Sequence, residues 1–488
     1  MRERHLQLLA AFVLVGAILR FATLDARSFW LDEVYTSTLL GRDLGGLLSG
    51  LFRTRTGSAP LYFLLAWPWA KAFGTGEVGL RSLPALFGTA TIPVAYAAAS
   101  ELASRRAGLI AAALTAVSPL VVWHSQDARP YALLILLGGL SFVFFLRALR
   151  IGDRRALVVW AIASALAIVT HYYAVFLVAA EAAVLALRLQ PHRRRQVVWL
   201  VAGLVAAGVV FAGLVGSADI LGRGQVGGSL GSRSVQLPAQ FLVGYQPPFQ
   251  LAASAVTALV ALAAVWLLLR RGDNAERRAA GLAAVIGGVA VVAPLLFAVI
   301  GFDYVLSRHL TGAWIAVAAV AAVGFGARGA GRAGTIGVTT LCALFLAIDL
   351  ASAWQPKFDR DDWRGASAAV GPPRWGRAIV VFPRLGGRAF AYYRPGAVRD
   401  QRTGAWVQEI DLLGMAEPYR KIGEKPVPVR PAVVRRPAPG FVFAGRRNAE
   451  HFTIVRFRSS VPRAIWLPSL RAASLAGAAA VVLDRPGR

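Results

Sequence analysis

Long apolar runs alternate with short arginine clusters from the N-terminus to about Trp354, and this alternation constrains the fold more than any other feature. The 488 residues are 57% hydrophobic. Many runs approach the roughly 20 residues that an α-helix needs to cross a bilayer core. A water-soluble chain of this length would not carry so many of them. The sequence therefore predicts a polytopic α-helical membrane protein.

The formal net charge of +28 is carried mainly at the ends of the apolar runs. This is the distribution of topology signals and lipid headgroup contacts, so it argues against nucleic-acid binding. Arginine clusters in short loops mark the cytoplasmic side. The clusters lie at Arg2/Arg4, Arg105/Arg106, Arg147/Arg150/Arg154/Arg155, Arg188/Arg193/Arg194/Arg195, Arg270/Arg271/Arg277/Arg278 and Arg328/Arg332.

The sequence between neighbouring clusters is long enough for two crossings each time. With a final span near 333–352, this predicts about eleven transmembrane helices in residues 1–353 and a cytoplasmic N-terminus. Residues 59–74 are apolar and aromatic but short. Counting them as a span would invert every later loop, so an interfacial or re-entrant helix is the favoured interpretation and a span is the alternative.

With this topology, the unusual polar segments all fall on the extracytoplasmic face, opposite the arginine-rich loops. They are residues 25–58, 76–82, 123–131, 170–173, the glycine-rich loop 217–248, and 301–309.

The composition changes after Trp354, where apolar runs shorten and Pro, Arg and Gly become more frequent. Residues 361–370 suggest a helix, and 378–382, 441–443 and 452–457 suggest strands. Residues 354–488 are therefore predicted to form a small extracytoplasmic α/β domain.

Asp32 and Glu33 are adjacent carboxylates just past the first apolar span. Acids near a membrane surface are costly unless they pair, hydrate or act chemically. Their position alone fits a solvated loop equally well. The other polar groups expected on the same face favour a catalytic role.

The segment from Trp123 to Tyr131 joins two apolar helices and contains Asp127 and Arg129. These two could form a structural ion pair or bind a ligand. Arg81 and Arg308 are expected at the same face. Arginine suits phosphate oxygens, so the three arginines could hold a lipid-linked phosphate, although each alone could be an interfacial anchor.

His171, followed by Tyr172, ends an apolar run, and His309 stands beside Arg308. Each histidine could be a hydrogen-bonded structural residue. A divalent cation held by Glu33 or His171 is conceivable, but the spacing is not diagnostic. The glycine-rich segment 222–231 shows no helix start after it, which predicts a mobile loop over the site.

Together these motifs resemble the GT-C class of membrane glycosyltransferases, and particularly glycosyltransferase family 39-like proteins, which are related to protein O-mannosyltransferases and aminoarabinose transferases. The resemblance covers the membrane part well and the tail weakly. It rests on Phe29–Glu33, Ala59–Phe63, Phe73-Gly74, Gly79–Gly88, Ser118-Pro119, Ser125–Tyr131, Thr170–Tyr172, Ser307–Leu310 and Asp362–Ala366.

The resemblance implies inverting transfer of a sugar from a polyprenyl-phosphate-linked donor to an acceptor hydroxyl at the extracytoplasmic face of the cell membrane. Asp32 would be the general base. Glu33 would orient the acceptor or bind the cation. The residues expected to bind the donor phosphate and substrate are Arg81, Gln126, Asp127, Arg129, Tyr131, His171, Tyr172, Arg308 and His309.

Two other functions remain open from the sequence. A transporter or lipid flippase would need polar residues along a path near the bilayer midplane. A non-catalytic polyprenyl-lipid binding protein would keep the fold without turnover. The sugar is not readable, and the acceptor could be a protein, a polysaccharide or a glycolipid.

Overall fold

The computed structural model describes most of the chain, and the statements below concern only that part. The described residues are 2–53, 59–190, 193, 195–200, 203, 229–245, 247, 249–354, 361–399, 403–416 and 427–485.

The chain divides into two compact units. The membrane unit contains Met1–Leu24 and Ser37–Trp354, and the C-terminal unit contains Asp25–Thr36 and Gln355–Arg488. The division at 353/354 remains a prediction. The sequence did not indicate that Asp25–Thr36, which carries the acidic pair, groups with the C-terminal residues.

The membrane unit is helical, as predicted. Its helices, including α2, which also enters the C-terminal unit, are α1 (Arg2–Phe21), α2 (Leu31–Leu40), α3 (Leu44–Arg53), α4 (Leu61–Phe73), α5 (Glu77–Leu102), α6 (Arg105–Ala116), α7 (Pro119–Ser125), α8 (Tyr131–Ile151), α9 (Arg154–Thr170), α10 (Ala174–Arg188), α11 (Leu230–Val243), α12 (Gln250–Arg271), α13 (Asn274–Val299), a 3₁₀ helix (Ser307–Ala313), α14 (Trp314–Gly326) and α15 (Gly331–Trp354).

Among the described residues, seven helices are long and apolar enough to cross a membrane. The pair α6 and α7, bent by 57°, would make an eighth. Helices α9 and α10 have only 17 and 15 residues, and 204–228 lie outside the described residues. The polytopic helical fold is confirmed, whereas the count of eleven spans remains a prediction.

Helix α4 covers most of the ambiguous segment 59–74. Its 13 residues extend over about 20 Å, which is shorter than the roughly 30 Å of a bilayer core. This length suits the interfacial or re-entrant interpretation, which remains a prediction.

Close helix packing brings the 3₁₀ helix against α8. A Cβ atom on Gly138 would lie 2.6 Å from the carbonyl oxygen of Gly312, so only glycine permits this approach. Small residues allow membrane helices to pack backbone against backbone. The contact fixes Ser307–Ala313 beside the start of α8, where several predicted site residues lie.

One prediction about the glycine-rich segment was wrong. No helix start was expected after the 222–231 segment, yet helix α11 begins at Leu230, at the end of that segment. Residues 222–228 lie outside the described part. Ser229 caps the helix, its hydroxyl accepting a hydrogen bond from the Ser232 amide. A serine N-cap is a strong start signal that the surrounding glycines obscured.

The C-terminal unit contains one six-stranded sheet with the order β2-β6-β1-β3-β5-β4, in which β1 and β3 are parallel and the other pairs antiparallel. The predicted helix and three strands are confirmed, whereas β2, β3 and β6 were not predicted. The elements are α16 (Trp363–Val370), β1 (Arg377–Phe382), α17 (Gly386–Tyr392), β2 (Val398–Arg399), β3 (Gly404–Met415), β4 (Val442–Asn448), β5 (Phe452–Trp466) and β6 (Ala480–Asp484).

Candidate functional site

The acidic pair occupies the first turn of α2. The Trp30 amide donates a hydrogen bond to Glu33 Oε2 over 3.3 Å, which is one half of a capping box. Glu33 is fully buried, whereas Asp32 is only partly buried. Glu33 therefore caps the start of α2, and Asp32 is the more accessible carboxylate.

A tight turn between α7 and α8 places Arg129. The Arg129 amide donates to the Asp127 carbonyl over 2.6 Å, and α8 begins at Tyr131. The guanidinium of Arg129 lies 5.8 Å from the ring centre of Phe63, at cation–π distance. Asp127 is buried, with a carboxylate oxygen 3.8 Å from the His124 Nδ1 atom.

Rings from three connections gather around His171 and His309. The centroids of the two imidazoles are 4.8 Å apart. Tyr131 lies 6.1 Å from His171, and Tyr173 lies 5.3 Å from His309. Tyr304 stacks on His309 at 4.9 Å, and its carbonyl oxygen is 2.8 Å from His309 Nδ1. The predicted residues His171, His309 and Tyr131 are thus brought together from positions far apart in the sequence.

Two of the predicted arginines act electrostatically on the same histidine. Burial is the main cause that lowers the pKa of His171 to about 3, and the positive charges of Arg129 and then Arg308 add to it. His171 is therefore neutral at physiological pH. The α7–α8 turn and the 3₁₀ helix thus each bring one positive charge near enough to act on the uncharged imidazole of the α9–α10 turn.

This low pKa predicts a measurable pH effect on stability. His171 takes up a proton near pH 6.5 when unfolded but only near pH 3 when folded. Folding stability from this group is therefore lost as the pH falls below 6.5. We expect wild type to lose more thermal stability than His171→Gln between pH 7.5 and pH 5 in detergent. Equal losses in the two proteins would contradict the assignment.

Arg81 and Gln126 both bind the end of α1. Arg81 is buried and donates to the Leu24 carbonyl over 2.8 Å. Gln126 Nε2 donates to the Leu19 carbonyl at 2.9 Å and to Thr23 Oγ1 at 2.8 Å. Their roles toward a substrate remain predictions. The structure gives both side chains a positioning role at the C-terminal end of α1.

Tyr172 lies in the same turn as His171, and burial raises the pKa of its phenol to about 12. Its hydroxyl therefore stays protonated. Its contact with a substrate remains a prediction.

The sequence reasoning missed residues that hold the 3₁₀ helix in place. Tyr245 Oη lies 2.7 Å from Ser307 Oγ, and Ser307 also donates to Gln240. Arg233 donates to the Asp303 carboxylate, which lowers the pKa of Asp303, and to the Val305 carbonyl at 2.8 Å. The polar residues of α11 could have indicated these contacts from the sequence. They were overlooked because they follow the glycine-rich segment, which was interpreted as a loop.

A metal site can be tested only against the described residues. In that part of the chain, no three His, Cys, Asp or Glu side chains gather where they could hold one metal ion. A divalent cation at Glu33 or His171 therefore remains a prediction.

Comparison with known proteins adds a family match. Residues 57–215 match the family model described as dolichyl-phosphate-mannose-protein mannosyltransferase. No curated protein sequence matches the chain.

Several solved structures resemble the chain. The apo structure of ArnT from Cupriavidus metallidurans has a TM-score of 0.50 at 16% identity and covers 74% of this chain and 69% of ArnT. ArnT bound to undecaprenyl phosphate has a TM-score of 0.47 at 18% identity, covering 68% and 63%. The oligosaccharyltransferase AglB from Archaeoglobus fulgidus has a TM-score of 0.46 at 14% identity, covering 76% and 58%. The chain therefore spans less than two thirds of the last two structures.

The likeness to apo ArnT shows a shared fold. The segment matched by the family model includes the α7–α8 turn with Arg129. The chain shares its fold with apo ArnT, and residues 57–215 are similar to the dolichyl-phosphate-mannose-protein mannosyltransferase family. It also has the sheet-containing C-terminal unit predicted from the sequence.

Proposed function

We propose that this protein transfers a sugar from a polyprenyl-phosphate-linked donor to an acceptor hydroxyl at the extracytoplasmic face of the cell membrane. The observation that carries the proposal is the grouping of Tyr131, His171 and His309 from three separate connections. Arg129 and Arg308 lie within two residues of Tyr131 and His309 in the sequence. The matched family, whose described members use a lipid-phosphate-linked mannose, supports the same donor class.

The positive charges of Arg129 and Arg308 would stabilise the leaving group of this reaction, which is the lipid phosphate. When the bond between the sugar C1 and the phosphate oxygen breaks, its electron pair stays on the lipid phosphate. The growing negative charge needs preorganised cations, and Arg129 and Arg308 are the residues proposed to supply them. Because His171 is uncharged, it can donate or accept a hydrogen bond without adding charge.

The rings around His171 suit the sugar or the lipid. Tyr131, Tyr173 and Tyr304 surround the two imidazoles within about 6 Å, counted between ring centres. Aromatic faces bind apolar faces of ligands while their hydroxyl groups hydrogen-bond. A lipid-linked sugar presents both kinds of surface.

Asp32 is the proposed general base. It takes the proton of the acceptor hydroxyl while that oxygen forms a bond to the sugar C1 on the face opposite the leaving phosphate. A single displacement of this kind inverts the anomeric configuration and needs no second, nucleophilic carboxylate. Glu33 is buried and caps the helix that presents Asp32, so it has a supporting role.

The first experiment is a donor panel. The purified protein is incubated with polyprenyl-phosphate-linked mannose, glucose, arabinofuranose and aminoarabinose plus a crude envelope acceptor, and released polyprenyl phosphate is measured. We expect release from one donor only. Binding of a donor without release from any would favour a non-catalytic lipid-binding protein. Neither binding nor release would favour a transporter.

A further inference from the structure

The segment before Asp32 is anchored within the C-terminal unit. Ser28 and Phe29 are buried, and they precede the catalytic candidate by only four and three residues. Ser28 Oγ donates to the Asp361 carbonyl at 2.8 Å and accepts from the Trp363 amide at 3.1 Å. One serine hydroxyl thus joins this segment to the start of α16.

Helix α17 provides a second anchor. The Phe29 amide donates to Tyr393 Oη over 2.6 Å, and the Phe29 ring lies 5.6 Å from the Tyr392 ring. Arg364 adds a third contact, donating to the Asp25 carbonyl at 2.8 Å. Backbone and side-chain contacts therefore hold the segment at three points before α2 begins.

The two anchoring helices are themselves packed closely. A Cβ atom on Gly386, at the start of α17, would lie 2.1 Å from the fully buried Trp363 ring of α16. The Ser367 hydroxyl of α16 also donates to the Tyr393 carbonyl at 2.9 Å. Tyr393 is thus fixed by its backbone while its phenol holds Phe29.

Three arginines, two of them from the sheet, hold the C-terminal half of α16. Arg377 and Arg456 both donate to the Val370 carbonyl, at 3.2 and 2.7 Å, and Arg394 donates to the Ser367 carbonyl at 3.1 Å. Cations at a helix C-terminus are favoured by its dipole.

The same arginines are held by buried acids. Arg377 pairs with Glu409 at 2.9 Å and Arg456 with Asp411 at 2.8 Å, and Arg394 Nε donates to Asp484 at 2.8 Å. Such buried pairs cannot loosen singly without leaving an unpaired charge. These ion pairs therefore hold the arginines that bind the carbonyl groups of α16.

We infer that the C-terminal unit positions the catalytic carboxylate, with Ser28 and Tyr393 as the positioning residues. The inference rests on the proposed function of Asp32. A base must be held close to its productive geometry, and a displacement of about 1 Å can cost roughly 100-fold in rate. A chain segment without secondary structure does not provide that precision, whereas one bound to α16 and α17 does.

The test separates turnover from donor binding. Tyr393→Phe removes only the hydroxyl that accepts from the buried Phe29 amide, and Ser28→Ala removes the bridge to α16. We expect each variant to lower kcat roughly 10- to 100-fold while donor Kd stays close to wild type. A small fall in the unfolding temperature is also expected, because each change removes one partner of a buried polar group. Ser469→Ala is the matched control, because its exposed hydroxyl donates to the nearby Trp466 carbonyl in the same unit.

The outcomes distinguish this inference from the proposed function. If wild type turns over, Asp32→Asn does not, and both positioning variants match Ser469→Ala, the inference is overturned while the proposed function stands. A parallel loss of donor affinity and turnover also overturns it, because the C-terminal unit would then support donor binding instead. If wild type releases no polyprenyl phosphate, the proposed function itself fails.

Discussion

Asp32→Asn is expected to lower kcat by roughly 10²- to 10⁴-fold, the range contributed by a general base, and to leave donor Kd unchanged. The substitution is nearly isosteric and removes only the ability to take a proton. The Asp32 carbonyl, which accepts from Thr36 Oγ1 at 3.0 Å, is unaffected, so α2 should remain intact. Released polyprenyl phosphate and lipid binding, measured on the same preparation, check both halves of this result.

Asp25→Asn is the matched control for this prediction. Asp25 is exposed, lies seven residues earlier in the same unit, and undergoes the same change in charge and shape. We expect it to keep wild-type turnover. Full turnover in Asp32→Asn would remove Asp32 from the mechanism.

Glu33→Gln distinguishes the two adjacent acids. Glutamine keeps an oxygen that can accept from the Trp30 amide, so the helix cap is retained. A loss much smaller than that of Asp32→Asn is expected. If Glu33→Gln is the more damaging change, the roles of the two carboxylates are reversed.

Arg129→Gln is expected to lower kcat/KM by roughly 10²- to 10³-fold, the effect of removing one preorganised group from a developing charge. Arg129 comes from the α7–α8 turn and acts with Arg308 on the same histidine. Arg129→Lys keeps the charge but loses the fork that fits two phosphate oxygens, so an intermediate loss is expected. Steady-state kinetics with the identified donor check all three proteins.

Arg105→Gln controls for the loss of one positive charge. Arg105 is exposed at the start of α6, on the predicted cytoplasmic side. It is expected to be as active as wild type. Equal effects of Arg129→Gln and Arg105→Gln would contradict a role of Arg129 at the phosphate.

Much of the membrane fold could be predicted from local sequence. A run of about 20 apolar residues is enough to predict a membrane helix. Lipid offers no hydrogen-bond partners, so the backbone groups must bond to each other within the helix. The sheet strands at 377–382 and 452–466 were readable from their apolar residues as well. Helix α11 was missed because glycines around Ser229 masked its cap.

Only some of the residues near the candidate site could be selected from the sequence. Arg129, His171 and Arg308 could be selected because charged or titratable groups at the ends of apolar runs are costly without a function. Tyr173, which contacts His171, and Tyr304, which stacks on His309, could not be selected. Aromatic residues are common at membrane interfaces, and nothing local marks these two. Arg20 was also missed; it is fully buried and donates to the Ala116 and Thr115 carbonyls at 2.8 and 2.9 Å.

The sequence by itself determined that the chain is a polytopic helical membrane protein with a mixed tail, and which polar residues deserved attention. These properties follow from hydropathy and charge, which each segment carries alone. Only the tertiary structure decided that Tyr131, His171 and His309 lie together, and that Ser28 and Phe29 bind α16 and the residue that follows α17. The physical reason is that such contacts join residues as much as 364 positions apart, and their energy depends on packing that no local pattern records.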